Sequence, residues 1–282
     1  MEKVGQKSKS IKNICLKFFS GIRTNKYLLL RRTSQISIML LFIYSPFYGF
    51  WILKGSLASS ELLQTIPLSD PFILLQSFFA NFNLAGEVIV GGVIVSVFYA
   101  LVGGRVYCSW VCPVNIVTDS ANWLRNKLNL KSSINLQRKT KFFILAAVLL
   151  LSWIFSALVW EYVNPVSISY RGLIFGFGST FLVVVVVFLF DLFVLKNGWC
   201  GHLCPVGAFF SLLNKFKIIK INAVNREQCN DCLKCYKICP EPHVIKPALN
   251  DKNSSLIKNI DCNNCGRCID ICSEIVFKYS IK

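Results

Sequence analysis

Eight of the thirteen cysteines fall in two runs of one spacing near the C-terminus. The first is Cys229, Cys232, Cys235 and Cys239, followed by Pro240; the second is Cys262, Cys265, Cys268 and Cys272, followed by Ser273. Each reads C-x2-C-x2-C-x3-C, the pattern that wraps three thiolates around one cubane cluster and sends the fourth to its neighbour. Crossed ligation then predicts one [4Fe–4S] cluster on Cys229, Cys232, Cys235 and Cys272. A second is predicted on Cys262, Cys265, Cys268 and Cys239. Zinc also binds C-x2-C pairs, but two pairs per ion leave the eight-fold pattern unexplained. Ser273 stands where such runs usually carry proline, which puts the local turn in question and not the ligand set.

Four further cysteines form two copies of C-x3-C-P: Cys108 and Cys112 before Pro113, and Cys200 and Cys204 before Pro205. Thiols at i and i+4 share a helical face, and the proline suits the first position of a new helix. One pair is too few ligands for most metals. Two pairs brought together make a four-thiolate site for an additional metal; kept apart they are redox-active dithiols. Small buried cysteines that only pack helices are the plainer alternative. Cys15 has no partner nearby and reads as an ordinary small residue.

These thiols need elements to hold them, and the composition suggests which. The chain has 282 residues, is 54% hydrophobic and has a mean hydropathy of +0.53. Four apolar stretches, Ile36–Leu53, Gly86–Val102, Phe142–Val163 and Leu173–Leu195, approach the roughly 20 helical residues that cross a bilayer. The net charge is +17, and apart from Lys54 and Arg171 the Lys and Arg residues lie in the segments before, between and after these stretches that share one side. The positive-inside pattern then predicts an inner-membrane, multi-pass protein with both termini cytoplasmic, and the charge needs no nucleic acid. Reduced cytoplasmic thiols favour metal and redox roles over disulfides. The expected fold is an all-α polytopic membrane protein of four transmembrane helices, as two parallel helical-hairpin repeats, with a C-terminal α+β bacterial-type two-cluster ferredoxin domain. The boundaries read 1–35 for a basic N-terminal segment, 36–213 for the membrane domain and 214–282 for the ferredoxin domain. Arg31-Arg32-Thr33 mimics an export signal, which the charge pattern argues against.

Acid–base chemistry is sparse. Asp70 before Pro71 has the form of an N-cap with proline at the first helical position. As an acid beside an apolar stretch it is also a candidate proton acceptor, as is Glu161. Asp191 inside the fourth stretch needs a counter-charge, for which Lys196 and Arg105 are near in sequence. Two histidines, His202 and His243, offer no pair for a haem.

Four expected spans, two C-x3-C-P motifs and the twin-cluster tail resemble the NapH family along nearly the whole chain. Those are membrane ferredoxin-type quinol dehydrogenase subunits of periplasmic nitrate reductase systems. The resemblance implies two [4Fe–4S] clusters, quinol as substrate drawn from a membrane pool, and a NapG-like periplasmic iron–sulfur subunit leading to nitrate reductase. A competing reading is a maturation or redox-assistance factor like the NosR-type or CcoG-type proteins. The chain has no room for their flavin or β-sandwich domains. A scaffold with structural metal sites is the third class.

Overall fold

The computed structural model describes residues 25–48, 53–55, 59–62, 65–82, 85–130, 134, 136–175, 180–250 and 255–281. Cys15 and most of the basic N-terminal segment lie outside the described residues. Helix α1 (Lys26–Tyr48) leads into an antiparallel meander of β1 (Leu53–Gly55), β2 (Ser59–Leu62) and β3 (Ile66–Ser69). Then come α2 (Pro71–Phe79), α3 (Gly86–Val102), α4 (Val114–Lys127), α5 (Thr140–Phe155), α6 (Pro165–Phe175), α7 (Thr180–Leu189) and α8 (Pro205–Leu213). The C-terminal part carries β4 (Ile219–Ala223), the short helices α9 (Lys234–Ile238), α10 (Ile245–Asn250) and α11 (Arg267–Asp270), and β5 (Phe277–Ile281).

This architecture corrects the four-span reading. Among the described residues no helix is long and apolar enough to cross a membrane. Helix α3 has the expected bounds but only 17 residues. The third stretch breaks where Ser156 turns left-handed at φ 46°, which ends α5 after 16 residues. In the fourth, α6 is described to Phe175 and α7 over the ten residues Thr180–Leu189, with 176–179 outside the described residues. Only α1, at 23 residues, has the length, and it carries Arg31 and Gln35, both fully buried against protein. The multi-pass inner-membrane placement with cytoplasmic termini falls with the spans, because the charge asymmetry was read across them. Apolar windows alone do not distinguish a spanning helix from shorter helices broken by turns.

The molecule is helical with a ferredoxin-like C-terminal region. One apolar core gathers Phe72, Tyr107, Leu145, Val148, Trp160, Val206 and Phe210 from α2, α5, α8 and the turns between them. A second surrounds the cysteine runs with Ile221, Val244, Ile245, Val276 and Phe277. Strands β4 and β5 pair antiparallel from Ile219↔Ile281 to Ala223↔Phe277. Val244, Ile245, Val276 and Phe277 are buried there, whereas Ile275 is exposed and left-handed at φ 51°.

Candidate functional site

The two C-x3-C-P motifs fold alike. Tyr107–Val111 and Trp199–Leu203 are single π-helical turns, which widen the backbone and recur at functional sites. Cys112 and Cys204 then leave the turn in the same extended conformation, at φ −64°, ψ 120° and φ −70°, ψ 114°. Each following proline opens the next helical segment. At the second motif the Cys204 sulfur accepts from the Gly207 amide at 3.4 Å, capping α8. The repeats meet closely: a Cβ on Gly104 would lie 2.0 Å from the Phe210 carbonyl oxygen, so only glycine fits.

This packing brings all four thiols to one narrow cavity, whose free volume is about 40 Å³. Burial pushes the Cys204 thiol up to about 12, with Cys108 adding to the shift. Burial likewise raises Cys200, reinforced by Asp191 and the other three thiols, and Cys112, reinforced by Cys108 and Cys204. Burial raises the Cys108 thiol as well, against the pull of Arg105. Asp191 is fully buried; its Oδ1 accepts from the Trp199 amide at 2.9 Å, and its counter-charge is Arg125. Neither Lys196 nor Arg105 takes that part.

Asp70 lies on the wall of the same cavity. It caps α2, accepting from the Phe72 amide at 2.8 Å. Loss of solvent pushes its carboxyl up to about 7 despite that bond, and Glu161 adds to the rise. Glu161 itself is bound by Asn164 Nδ2 at 2.8 Å and Ser167 Oγ at 2.7 Å, and Asn164 and Ser167 also line the cavity. Trp160 stacks on Trp199 at 6.3 Å between ring centres and Tyr107 on Phe210 at 4.6 Å. The fold places Asp70 and the four thiols around one space, with Glu161 held just behind its wall by Asn164 and Ser167.

In the tail the two cysteine runs have matching backbones. Asp231 and Asn264, and likewise Leu233 and Gly266, occupy equivalent positions and all have positive φ. Cys229, Cys232, Cys235 and Cys272 line an open cavity of about 430 Å³. Cys262, Cys265 and Cys268 are buried, and burial raises the Cys239 thiol further through its neighbours Cys265 and Cys262. Among the described residues no three His, Cys, Asp or Glu side chains converge as for a single metal ion. A space of this size bounded by four thiols fits a cubane. Ser273 does not disturb the set; its hydroxyl meets Glu274 at 3.0 Å.

Polar contacts seat the second run on the helical part. Arg105 is fully buried; it donates to the Asp261 carbonyl at 2.8 Å and the Cys200 carbonyl at 3.3 Å, and lies 3.7 Å from Glu241. Ser109 and Trp110, between the first pair of thiols, donate to the carbonyls of Asn263 and Asn264 at 2.8 and 3.1 Å. Asn214 donates to the Ile260 and Cys262 carbonyls at 2.7 and 3.0 Å. Burial would raise the Asp261 carboxyl, but His243, Lys141 and Arg105 together hold it far below the usual range. His243 thus serves the docking network, and His202 is buried with its Nδ1 unpartnered among the described residues. Sequence reasoning missed this seating group. Its one signal was polar residues inside apolar surroundings, which Arg105, Ser109 and Lys141 all show.

A family model described as a 4Fe-4S binding domain matches residues 84–131 and again 177–222, one match over each C-x3-C-P motif. A 4Fe-4S dicluster domain model matches residues 221–273. The chain is 50% identical to the methylamine utilization ferredoxin-type protein MauN of Paracoccus denitrificans, over 85% of each chain. It is 44% identical to the ferredoxin-type protein NapH of Haemophilus influenzae, over 92% of this chain and 91% of that one. To NapH of Escherichia coli it is also 44% identical, over 90% and 89%. No solved structure matches the chain.

Proposed function

The chain belongs to the family of ferredoxin-type iron–sulfur electron-transport proteins that includes NapH and MauN, and we propose that it takes electrons from a hydroquinone and passes them through its cysteine sites to a reductase system. The observation that carries this reading is the cavity shared by Asp70 and the four C-x3-C-P thiols.

Hydroquinone oxidation releases two electrons and two protons. Asp70, with its pKa near 7, is matched to accept a proton near neutral pH. Glu161, coupled to it and held by Asn164 and Ser167, is the second acceptor. The narrow space admits the hydroxyl-bearing edge of a planar ring, and Trp160, Trp199 and Tyr107 give it apolar walls. Cys108, Cys112, Cys200 and Cys204 stand next to that edge as redox-active thiols. Cys262, Cys265, Cys268 and Cys239 would hold one [4Fe–4S] group and Cys229, Cys232, Cys235 and Cys272 the other. When bound, such groups supply one-electron storage. Because the Ser109, Trp110 and Arg105 bonds fasten the second run to the first C-x3-C-P motif, the buried set is the nearer electron acceptor. Cys232, exposed in the other set, is on the side from which electrons leave. The NapH relatives suggest a NapG-like iron–sulfur subunit and nitrate reductase beyond it. The MauN likeness makes the terminal partner a separate question.

The test is anaerobic reduction by a menaquinol analogue, followed through the cluster signals. Cys108→Ala or Cys204→Ala is expected to abolish hydroquinone-driven reduction while dithionite still reduces the clusters. Normal hydroquinone turnover in both variants would remove the C-x3-C-P thiols from the path.

A further inference from the structure

Arg31 is fully buried in α1, and none of its Nε, Nη1 and Nη2 has a hydrogen-bond partner among the described residues. Among the described residues the carboxylate within ion-pair reach, Asp119 at 3.7 Å, is shared with Arg32 and Arg267, both of which bind it more closely, and Asp270 acts on Arg31 from further off. Three guanidinium groups thus face two carboxylates and leave positive charge in excess, with Arg31 the most weakly paired. A buried cation without a partner is strongly unfavourable, so the site calls for an anion.

The fold indicates where that anion lies. Tyr27, Arg31 and Gln35 are spaced one turn apart and share a face of α1. Below Arg31, Tyr27 packs on Gly266, where a Cβ would come within 2.6 Å of the ring. Asp270 accepts from the Tyr27 and Leu28 amides at 3.0 and 3.2 Å. Above Arg31, Gln35 donates to the Ser109 and Cys112 carbonyls at 3.1 and 3.2 Å. Arg31 is therefore held between the loop of the buried cysteine set and the first C-x3-C-P motif. Its guanidinium interacts electrostatically with Cys265, as Arg267 does with Cys265 and Cys239. The exposed set has the opposite neighbour: the Cys229 thiol faces Asp231 at 3.8 Å.

We propose that Arg31 is a positioning residue that serves as buried counter-cation and N–H donor to the iron–sulfur group of Cys262, Cys265, Cys268 and Cys239, raising that group's reduction potential above the value it would have without the arginine. The inference rests on the reading that these four thiolates hold a cluster. Net charge and hydrogen bonds to sulfur are the levers by which a protein sets such a potential. A cation at this point favours the more negative, reduced form and draws electrons towards the buried set.

The experiment is an EPR-monitored redox titration of the anaerobically purified full chain, with iron and acid-labile sulfide measured on every sample. Arg31→Met is expected to keep both clusters and to lower the midpoint of one by at least tenfold in its one-electron equilibrium, about 59 mV. The other midpoint stays in place, and Arg31→Lys recovers most of the shift. Unchanged midpoints in an Arg31→Met protein that carries both clusters would overturn the inference. Wild-type protein lacking iron and sulfide would instead overturn the cluster reading beneath it. If Arg31→Met fails to assemble, arginine-¹⁵N-labelled protein decides by pulsed EPR. Nitrogen coupling to a reduced cluster, lost in Arg31→Lys, supports the inference; coupling that is absent or unaltered by Arg31→Lys refutes it.

Discussion

At Asp70 one carboxylate both caps α2 and lines the thiol cavity, and Asn can keep the cap while losing the base. Asp70→Asn is therefore expected to fold normally and to slow hydroquinone-driven reduction by roughly 10²-fold or more. In the parent protein the rate should rise with pH through about 7, as the carboxyl ionises. In the variant that limb should be flat, and stopped-flow kinetics across pH 5.5–8.5 would expose a limb that survives. Stability runs the other way. A carboxyl held above its unfolded value binds its proton more tightly in the folded state. Its contribution is greatest below about 4 and is lost as pH climbs through 7, a dependence that Asp70→Asn removes. The capping role was legible from Asp70-Pro71 alone, because a cap is a local bond. The approach to Cys108 and Cys204 was not, since it depends on how α2 packs against two turns far along the chain.

Among the elements, α1 decides whether the buried cysteine loop and the first C-x3-C-P motif keep their relative positions. Gly266 is its seat: φ is +73° and a Cβ there would strike Tyr27. Gly266→Ala is expected to cost about 1–3 kcal/mol from the left-handed backbone and the overlap together. The α1 amides near Tyr27 should then exchange hydrogen faster, and protection equal to the parent's would refute that seating. Arg31 and Gln35, which look in sequence like the edge of an apolar span or an export signal, are buried polar residues of an internal helix. Hydropathy averages over a window and cannot report that two polar side chains face protein.

Across the whole molecule, the proposed crossed ligation has the two cysteine runs exchange their fourth members. Cys239→Ala is expected to remove the buried cluster, lowering bound iron by about four atoms per chain, while the EPR signal of the exposed cluster persists. Cys272→Ala should do the converse. Loss of the exposed cluster in Cys239→Ala would mean each run serves itself. Arg105 ties the two parts of the chain together, and Arg105→Met leaves Glu241 and Asp261 short of a buried counter-charge. Breaking such a pair costs about 3–5 kcal/mol, which thermal unfolding of the full chain would register.

The spacing of cysteines by itself determined the iron–sulfur character and the likeness of the two C-x3-C-P motifs, because ligand spacing is a property of a few consecutive residues. Asp70 and Glu161 were candidates from the scarcity of acids and, for Asp70, from its place before Pro71, without a diagnostic spacing. The tertiary structure alone decided that no described helix is a long apolar span, with Ser156 ending α5 inside what composition read as continuous. It alone brought Asp70 to the four thiols and set Arg31 beside Cys265. Each of these relations joins residues remote in the chain, and each follows from how distant elements pack, which no local pattern records.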